Sequence, residues 1–434
     1  MTFASPAVAG PGTTQCAAVS TTRGAIATPE HWPPPIETST TAGSPASSEP
    51  PTIGTNQSSH QSTSEVSQIC YRPRVKKLSV GVLGATGMVG QRFVALLADH
   101  PWFEVTAVAA SPASAGKTYA DAVHGRWTLA SAIPAATAKL TVGNASDVAS
   151  IASQVDFVFC AVDMAKDETA KLEEDYARAE TPLVSNNSAH RWTPDVPMMV
   201  PEINSHHVAV IEAQRKRLGT KRGFIAVKPN CSIQSYVPAI HPLLAFGPTK
   251  LAVCTYQAIS GAGKTFETWP EMVDNVIPFI KGEEEKSEQE PGKIWGTIEN
   301  GKIVAAKTPV ITAQCIRVPV SDGHMAAVFV AFEKKPSRDQ ILSAWKEYAG
   351  RPQQLNLPSA PKPFLHYFEE NDRPQTRLDR DLGAGQAVSL GRLREDAIFD
   401  WRFVALSHNT VRGAAGGAVL TAEMLKADGF LASK

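Results

Sequence analysis

The segment from Leu78 to Leu97 restricts the fold more tightly than any other stretch of this chain. Leu78-Ser79-Val80-Gly81-Val82-Leu83 is a short apolar run that ends on Gly84. A run of that kind reads as a buried parallel strand. Gly84-Ala85-Thr86-Gly87-Met88-Val89-Gly90 follows, and beyond it Val89, Phe93, Leu96 and Leu97 recur at helical spacing until Pro101 stops the helix. FEVTAVAAS (103–111) supplies a second strand. Strand, glycine-rich turn, helix and strand make a doubly wound α/β unit. Glycines at that turn let a pyrophosphate approach backbone N–H groups where the helix dipole favours negative charge. Gly84 and Gly87 are therefore candidate dinucleotide contacts.

The end of the second strand decides between cofactors. A site for NAD places an acidic residue there, roughly 20 residues beyond the turn, to hold the ribose hydroxyls. Here the chain reads Ala109-Ala110-Ser111-Pro112, then Ser114 and Lys117, with no carboxylate before Asp121. Hydroxyls and a lysine suit a 2′-phosphate that an aspartate would repel, so the expected cofactor is NADP.

Further strands fit VDFVFCAV (155–162) and TPLVSNN (181–187), separated by helical AKDETAKLEEDYARAE (165–180). A Rossmann-type dinucleotide-binding domain is expected over 74–228. The pattern then changes. LAVCTYQAISG (251–261), KIVAAKTPVITAQCIRVPV (302–320) and HMAAVFVAFEKK (324–335) are β-branched segments joined by Gly and Asp turns. They predict a second, α+β domain over 229–407 with a mixed sheet, carrying the chemistry and a subunit interface. The final stretch is rich in small residues, with Val419, Leu420, Met424 and Leu425 as its apolar side. It is expected to return to the first domain as a helix within 408–434.

Composition excludes several classes of function. The chain has 434 residues, 43% hydrophobic and 19% charged, with zero formal net charge. Nothing in that balance invites a nucleic acid, and no apolar run reaches the length of a membrane span. Cys16, Cys70, Cys160, Cys231, Cys254 and Cys315 are scattered, without a CxxC pair or a His cluster at metal spacing. No metal is expected, and the pattern suits a reduced, cytoplasmic enzyme. The first 73 residues are Ser/Thr/Pro-rich and cannot bury enough surface to offset their ordering entropy, so disorder is expected there. Organelle targeting is disfavoured, because Arg23 and Arg72 face Glu30, Glu37, Glu49 and Glu65, whereas transit peptides are Arg-rich and poor in acids.

Cys231 stands in Lys228-Pro229-Asn230-Cys231-Ser232, after an apolar strand and ahead of SIQSYVPAIHPLLA, which reads as a helix. A thiol at a helix N-terminus has a lowered pKa, and backbone N–H groups there hold an oxyanion. Arg317 and His324 bracket Ser321-Asp322-Gly323, a turn that predicts a hairpin bringing both side chains to one small pocket. The arginine would clamp a carboxylate in bidentate fashion, and the histidine would shuttle protons near neutral pH. Taken singly, Arg317 suits a surface position and His324 a turn. Gly282-Glu283-Glu284-Glu285-Lys286 is by itself a solvated charge run; in a site for an amino-acid phosphate, an acid would hold the ammonium and the lysine the phosphate. Arg191 follows a strand end, where ligands gather in open α/β sheets.

GVLGATGMVGQRF, SNNSAHR, KPNCSIQ, SGAGKT, GEEEK, RVPVSDGH and SHNTVRGAAGGA occur in this order over residues 81–418. Together they resemble the aspartate-semialdehyde dehydrogenase family, in its fungal and archaeal branch, from about residue 76 to the end. The resemblance implies reductive dephosphorylation of L-4-aspartyl phosphate by NADPH, on the route to lysine, threonine and methionine. It implies that Cys231 displaces phosphate and that His324 is the general acid/base. Arg317 matches the clamp on the substrate α-carboxylate, Glu283 the amino-group contact, and Lys286 the phosphate contact, with Arg191 as a second phosphate ligand. Asn230 belongs to the catalytic tripeptide. Thr86, Gly87, Met88 and Val89, with Ser111 and Ser114, match cofactor contacts, and Ser260, Gly261 and Asn409 border the nicotinamide. A homodimer or homotetramer is implied.

One departure is Lys228, where the family pattern leads us to expect Asn before the Pro-Asn-Cys. A related acyl reductase acting on N-acetylglutamyl phosphate carries Asn-Pro-Gly-Cys instead, and a malonyl-CoA reductase has no ammonium for Glu283 to bind. A non-catalytic NADP-binding protein would have no use for Cys231, His324, Arg317 and Lys286 together.

Overall fold

Six short runs of β-branched and small apolar residues form one sheet: Leu78–Leu83 (β1), Phe103–Ala110 (β2), Val142–Asn144 (β3), Phe157–Cys160 (β4), Leu183–Ser185 (β5) and Ile225–Val227 (β6). The computed structural model describes residues 76–434, so the expected disordered extension over 1–73 lies outside the described residues. All pairings in this sheet are parallel, in the order β3-β2-β1-β4-β5-β6. The order reverses between β1 and β4, which opens a crevice at the carboxyl ends of those strands. The turn after β1 needs its glycines. Gly84 has φ +77°, and a Cβ there would stand 2.2 Å from the Ala161 carbonyl oxygen. A Cβ on Gly90 would stand 2.1 Å from the Gly84 oxygen. Without those side chains the helix Met88–Leu97 seats directly against the strand ends.

The second sheet joins Pro248–Gln257 (β7), Val310–Arg317 (β10), His324–Phe332 (β11), Leu365–Phe368 (β12), Val388–Glu395 (β13) and Trp401–Ser407 (β14). A separate pair, Thr297–Glu299 (β8) and Lys302–Val304 (β9), stands apart. The order β10-β7-β11-β14-β13-β12 is parallel at β10/β7 and β12/β13 and antiparallel elsewhere, which makes it the expected mixed sheet. β10 and β11 are not a hairpin, however, because β7 lies between them. The connecting residues fold over the end of β7: Val318 N–H donates to the Gln257 carbonyl at 3.0 Å, and Ile259 N–H to the Val320 carbonyl at 2.9 Å. Along β11 the burial alternates, with His324, Ala326, Val328, Val330 and Phe332 inward and Met325, Ala327, Phe329 and Ala331 half-exposed. One face of this sheet is core and the other is not.

The terminal helix Gly416–Ala427 does return to the first sheet. Ala418, Val419, Ala422 and Leu425 share an apolar cluster with Val80, Val82, Phe93 and Phe159. The helix has no single apolar side, though. Leu420 and Met424 pack instead with Met199 and Leu357, and every residue from Gly416 to Leu425 is buried. A helix covered all round explains the run of small residues. A second apolar cluster runs from Val158, Leu183 and Ile225 of the first sheet to Val328, Phe403 and Trp345 around the second, so the two sheets share one core. Among the described residues no helix is long and apolar enough to cross a membrane.

Candidate active site

β6 ends at Val227, and the next four residues lead from the sheet into the site. The segment after Cys231 is not the continuous helix that its sequence suggested. It is a short 3-10 turn, Ser232–Gln234, then Val237–Ile240, then a second 3-10 stretch from His241 to Phe246. Pro238 and Pro242 remove the N–H groups that a long helix needs. Asn230 locks the turn. Its Oδ1 accepts from the Ser232 N–H (2.8 Å) and hydroxyl (2.6 Å), while its Nδ2 donates to both Glu283 oxygens at 3.0 Å. Its backbone N–H donates to Glu290 Oε2 at 2.6 Å.

Cys231 Sγ lies 3.4 Å from His324 Nε2. Arg317 pairs with Gln257 on one side of β7, and Met325 with Tyr256 on the other. Arg317 and His324 therefore flank the carboxyl end of β7 at one level. Both anchor on Ala258: its N–H donates to His324 Nδ1 at 3.1 Å, and its carbonyl accepts from Arg317 Nη1 at 2.6 Å. The Ala258 bond also sets the tautomer. With Nδ1 accepting, the neutral imidazole carries its proton on Nε2 and presents a donor to the sulfur. Gly261 leaves this space open, since a Cβ there would stand 2.9 Å from Arg317 Nη1 and 3.0 Å from His324 Cε1. Glu283 opens the helix Glu283–Ile294 and also accepts from Lys286 Nζ at 2.8 Å and Gln257 Nε2 at 3.3 Å.

The electrostatics depart from the sequence expectation. Burial pushes the Cys231 thiol up to about 11, with Glu283 acting in the same direction against Lys228, Arg191 and Arg317. The thiol is raised rather than lowered because burial and the Glu283 carboxylate outweigh the neighbouring cations. Burial likewise takes His324 down to about 3, helped by Arg317 and opposed by Glu283 and the Gly323 backbone. In the unliganded site the pair is neutral near pH 7. Burial works to raise Glu283, but Lys286 and the Asn230 amide hold it below the usual carboxyl range.

Arg191 is buried, and its guanidinium donates to Lys228 O (3.0 Å), Asn186 O (3.1 Å) and Glu290 Oε1 (2.8 Å). Asn409 joins two parts of the site: its Oδ1 accepts from Gly323 N–H (2.7 Å) and its Nδ2 donates to Ser260 Oγ (2.8 Å).

Three cavities that share lining residues lead from the crevice between β1 and β4 toward Ser260 and Ser321. One of about 400 Å³ is lined by Gly84, Thr86, Gly87, Ser111, Arg126 and Asn144. A groove of about 690 Å³ shares Thr86 and Arg126 and adds Met88 and Thr265. A cleft of about 160 Å³ runs from Met88 and Arg92 to Ser260 and Ser321. Gly87 is the N-cap of the first helix and offers no side-chain cap, so the first-turn N–H groups face the crevice. A Cβ on Gly87 would meet only the Gly84 oxygen, at 3.5 Å, and would otherwise fill the cradle. These features fit a dinucleotide diphosphate. Val89 turns its side chain to the apolar cluster, Ser114 is buried behind Ser111, and Lys117 is exposed outside the lining. The cation beside Ser111 is Arg126, which lies beyond a short helix at Tyr119–Ala122 and carries no motif that would have pointed to it.

Two family models match the chain: semialdehyde dehydrogenase, NAD binding domain, over residues 79–211, and semialdehyde dehydrogenase, dimerisation domain, over 240–412. The aspartate-semialdehyde dehydrogenase of Aspergillus fumigatus is 43% identical over 82% of this chain and 99% of its own length. That of Archaeoglobus fulgidus is 41% identical over 80% and 98%. Among solved structures, aspartate semialdehyde dehydrogenase with NADP from Candida albicans superposes with a TM-score of 0.73 at 38% identity, covering 82% of this chain and all of that one. The Vibrio cholerae aspartate semialdehyde dehydrogenase II complexed with ASA gives 0.63 at 25%, covering 82% and 99%. Sequence kinship of this depth over nearly the whole length of the relatives, on the same two-sheet fold, places the chain in the aspartate-semialdehyde dehydrogenase family.

Proposed function

We propose that this chain catalyses the NADPH-dependent reductive dephosphorylation of L-4-aspartyl phosphate to L-aspartate 4-semialdehyde, through a thioester on Cys231. The observation that carries the residue roles is the 3.4 Å approach of Cys231 Sγ to His324 Nε2, with Arg317 and Glu283 facing the same space. Arg317 binds the substrate α-carboxylate and Glu283 its ammonium. Lys286 meets the phosphate, with Arg191 behind it as a fixed cation. Cys231 attacks the acyl carbon, the acyl–phosphate bond breaks, and phosphate leaves. NADPH, when bound, supplies the hydride that reduces this thioester. Its diphosphate is assigned to Gly84, Thr86, Gly87, Met88 and the Val89 backbone, its adenosine end to Ser111, supported by Ser114, with Arg126, and its nicotinamide to Ser260, Gly261 and Asn409.

His324 works as a hydrogen-bond donor. Its Nε2–H meets the thioester oxygen as negative charge builds there, then the Cys231 thiolate as the thiohemiacetal collapses and the aldehyde leaves. We assign 74–228 with the terminal helix to cofactor binding and 229–407 to catalysis and subunit contact. The half-exposed face of the second sheet makes the contact of a homodimer or homotetramer. The enzyme works in the cytoplasm, on the route to lysine, threonine and methionine.

The test is NADP reduction by the purified protein with L-aspartate semialdehyde and phosphate, with N-acetylglutamate semialdehyde as control. Activity is expected only with the first substrate, and Cys231→Ala should abolish it. Turnover of the acetylated substrate would overturn the assignment.

A further inference from the structure

The helix Glu283–Ile294 meets the site along one face, through residues spaced three or four apart. Glu283 and Lys286 are assigned to the substrate, and Glu290 and Lys293 continue the same face. Glu290 is fully buried. Its Oε1 accepts from Arg191 Nη1 at 2.8 Å and its Oε2 from the Asn230 N–H at 2.6 Å. One carboxylate thus ties Arg191 to the backbone just ahead of Cys231. Both neighbours are donors, so only a group that accepts at both ends satisfies them. Lys293 is buried too, and its ammonium donates to the carbonyls of Arg191 (2.6 Å), Thr193 (2.9 Å) and Val196 (3.0 Å). The helix therefore grips Arg191 twice, by its side chain through Glu290 and by its backbone through Lys293.

We propose that Glu290 is a positioning residue, a fixed carboxylate that aims Arg191 at the substrate phosphate in register with Cys231. This rests on the reading of Arg191 as a phosphate ligand. A guanidinium has five N–H groups, and Arg191 uses three: Nε to Lys228 O, Nη1 to Glu290 and Nη2 to Asn186 O. Among the described residues, one N–H on each terminal nitrogen is left for phosphate oxygens. Without Glu290 the fork is held by two neutral carbonyls alone, a weaker hold than a charge-assisted bond. Asn230 does not share that dependence, because its Oδ1 accepts from Ser232 and its Nδ2 donates to Glu283. The turn that carries the nucleophile keeps its own anchors, so the effect of Glu290 falls on phosphate rather than on attack by the sulfur.

The experiment is steady-state oxidation of L-aspartate semialdehyde by the full-length protein, with phosphate varied and NADP saturating. Glu290→Asp keeps a charge beside buried Arg191 but is one methylene short of reaching both donors. Its KM for phosphate should rise about tenfold, with kcat and KM for the semialdehyde within about twofold of wild type. Glu290→Gln keeps the shape, but its amide must turn a donor toward Arg191 or the Asn230 N–H, and the same rise is expected. Without phosphate, both variants should still release one NADPH per active site as Cys231 is acylated, since that half of the reaction does not use the phosphate subsite. Melting temperature reports whether each variant is folded. An unchanged phosphate KM in either folded variant, an equal rise in KM for the semialdehyde, loss of the phosphate-free NADPH, or unfolding of both variants overturns the proposal. Arg191→Lys with a wild-type phosphate KM instead overturns the assignment of Arg191 on which it rests.

Discussion

At the scale of the residue, the site joins groups that act by charge to groups that act by shape. Arg317 is held by one donor to the Ala258 carbonyl, which leaves the rest of its planar fork for a carboxylate. A lysine cannot reproduce that fork. Arg317→Lys should raise KM for the semialdehyde about tenfold or more with little change in kcat, measured by steady-state kinetics at saturating NADP. Arg126→Ala should weaken NADP binding while leaving NAD binding unchanged, measured by calorimetric titration of each nucleotide. The gathering of Cys231, Asn230, Glu283, Arg317 and His324 was legible because they stand in short motifs of the right residue types. Arg126 was not, since a cation that lines the cavity beside Ser111 from a loop leaves no spacing to read. The raised thiol of Cys231 was also hidden. Burial depends on what covers a residue, and here the cover includes Gly413, distant in sequence.

At the scale of the element, strand identities followed from local pattern more fully than helix identities, and neighbour relations did not follow. The stretches at 251–261 and 324–335 read as strands and are strands as far as Gln257 and Phe332, but the presence of β7 between β10 and β11 is a pairing across distant sequence. The hairpin expectation failed for that reason, although the two side chains it was meant to bring together do meet at Ala258. Pro238 and Pro242 were visible signals that the segment after Cys231 could not be one helix. The segment around Arg412 is tied down by a buried ion pair, with Arg412 Nη2 2.7 Å from Glu202 Oε2 and both side chains almost wholly covered. Glu202→Gln strands that guanidinium and should cost about 3–5 kcal/mol, read as a lower urea midpoint with an unchanged slope.

At the scale of the whole molecule, the buried histidines set the acid limit. Burial lowers His207 to about 4, His408 to about 4 and His324 to about 3, each from 6.5. Below pH 6.5 the unfolded chain takes up protons that the folded chain refuses, so stability is full above that value and falls as pH drops toward 4. Melting temperature should be flat from pH 7 to 8 and fall steadily from 6.5 to 4.5, by scanning calorimetry. A curve flat to pH 5 would mean that these imidazoles are not held neutral in the fold.

The terminal helix carries a consequence for how the protein is made. Its Ala418, Val419, Ala422 and Leu425 cover an apolar surface built by β1, the first helix and β4, which leave the ribosome more than two hundred and fifty residues earlier. During synthesis that surface has no cover of its own. The first half of the enzyme is translated as an unfinished layer, dependent on chaperone shelter or transient self-contact until the last two dozen residues arrive to close it.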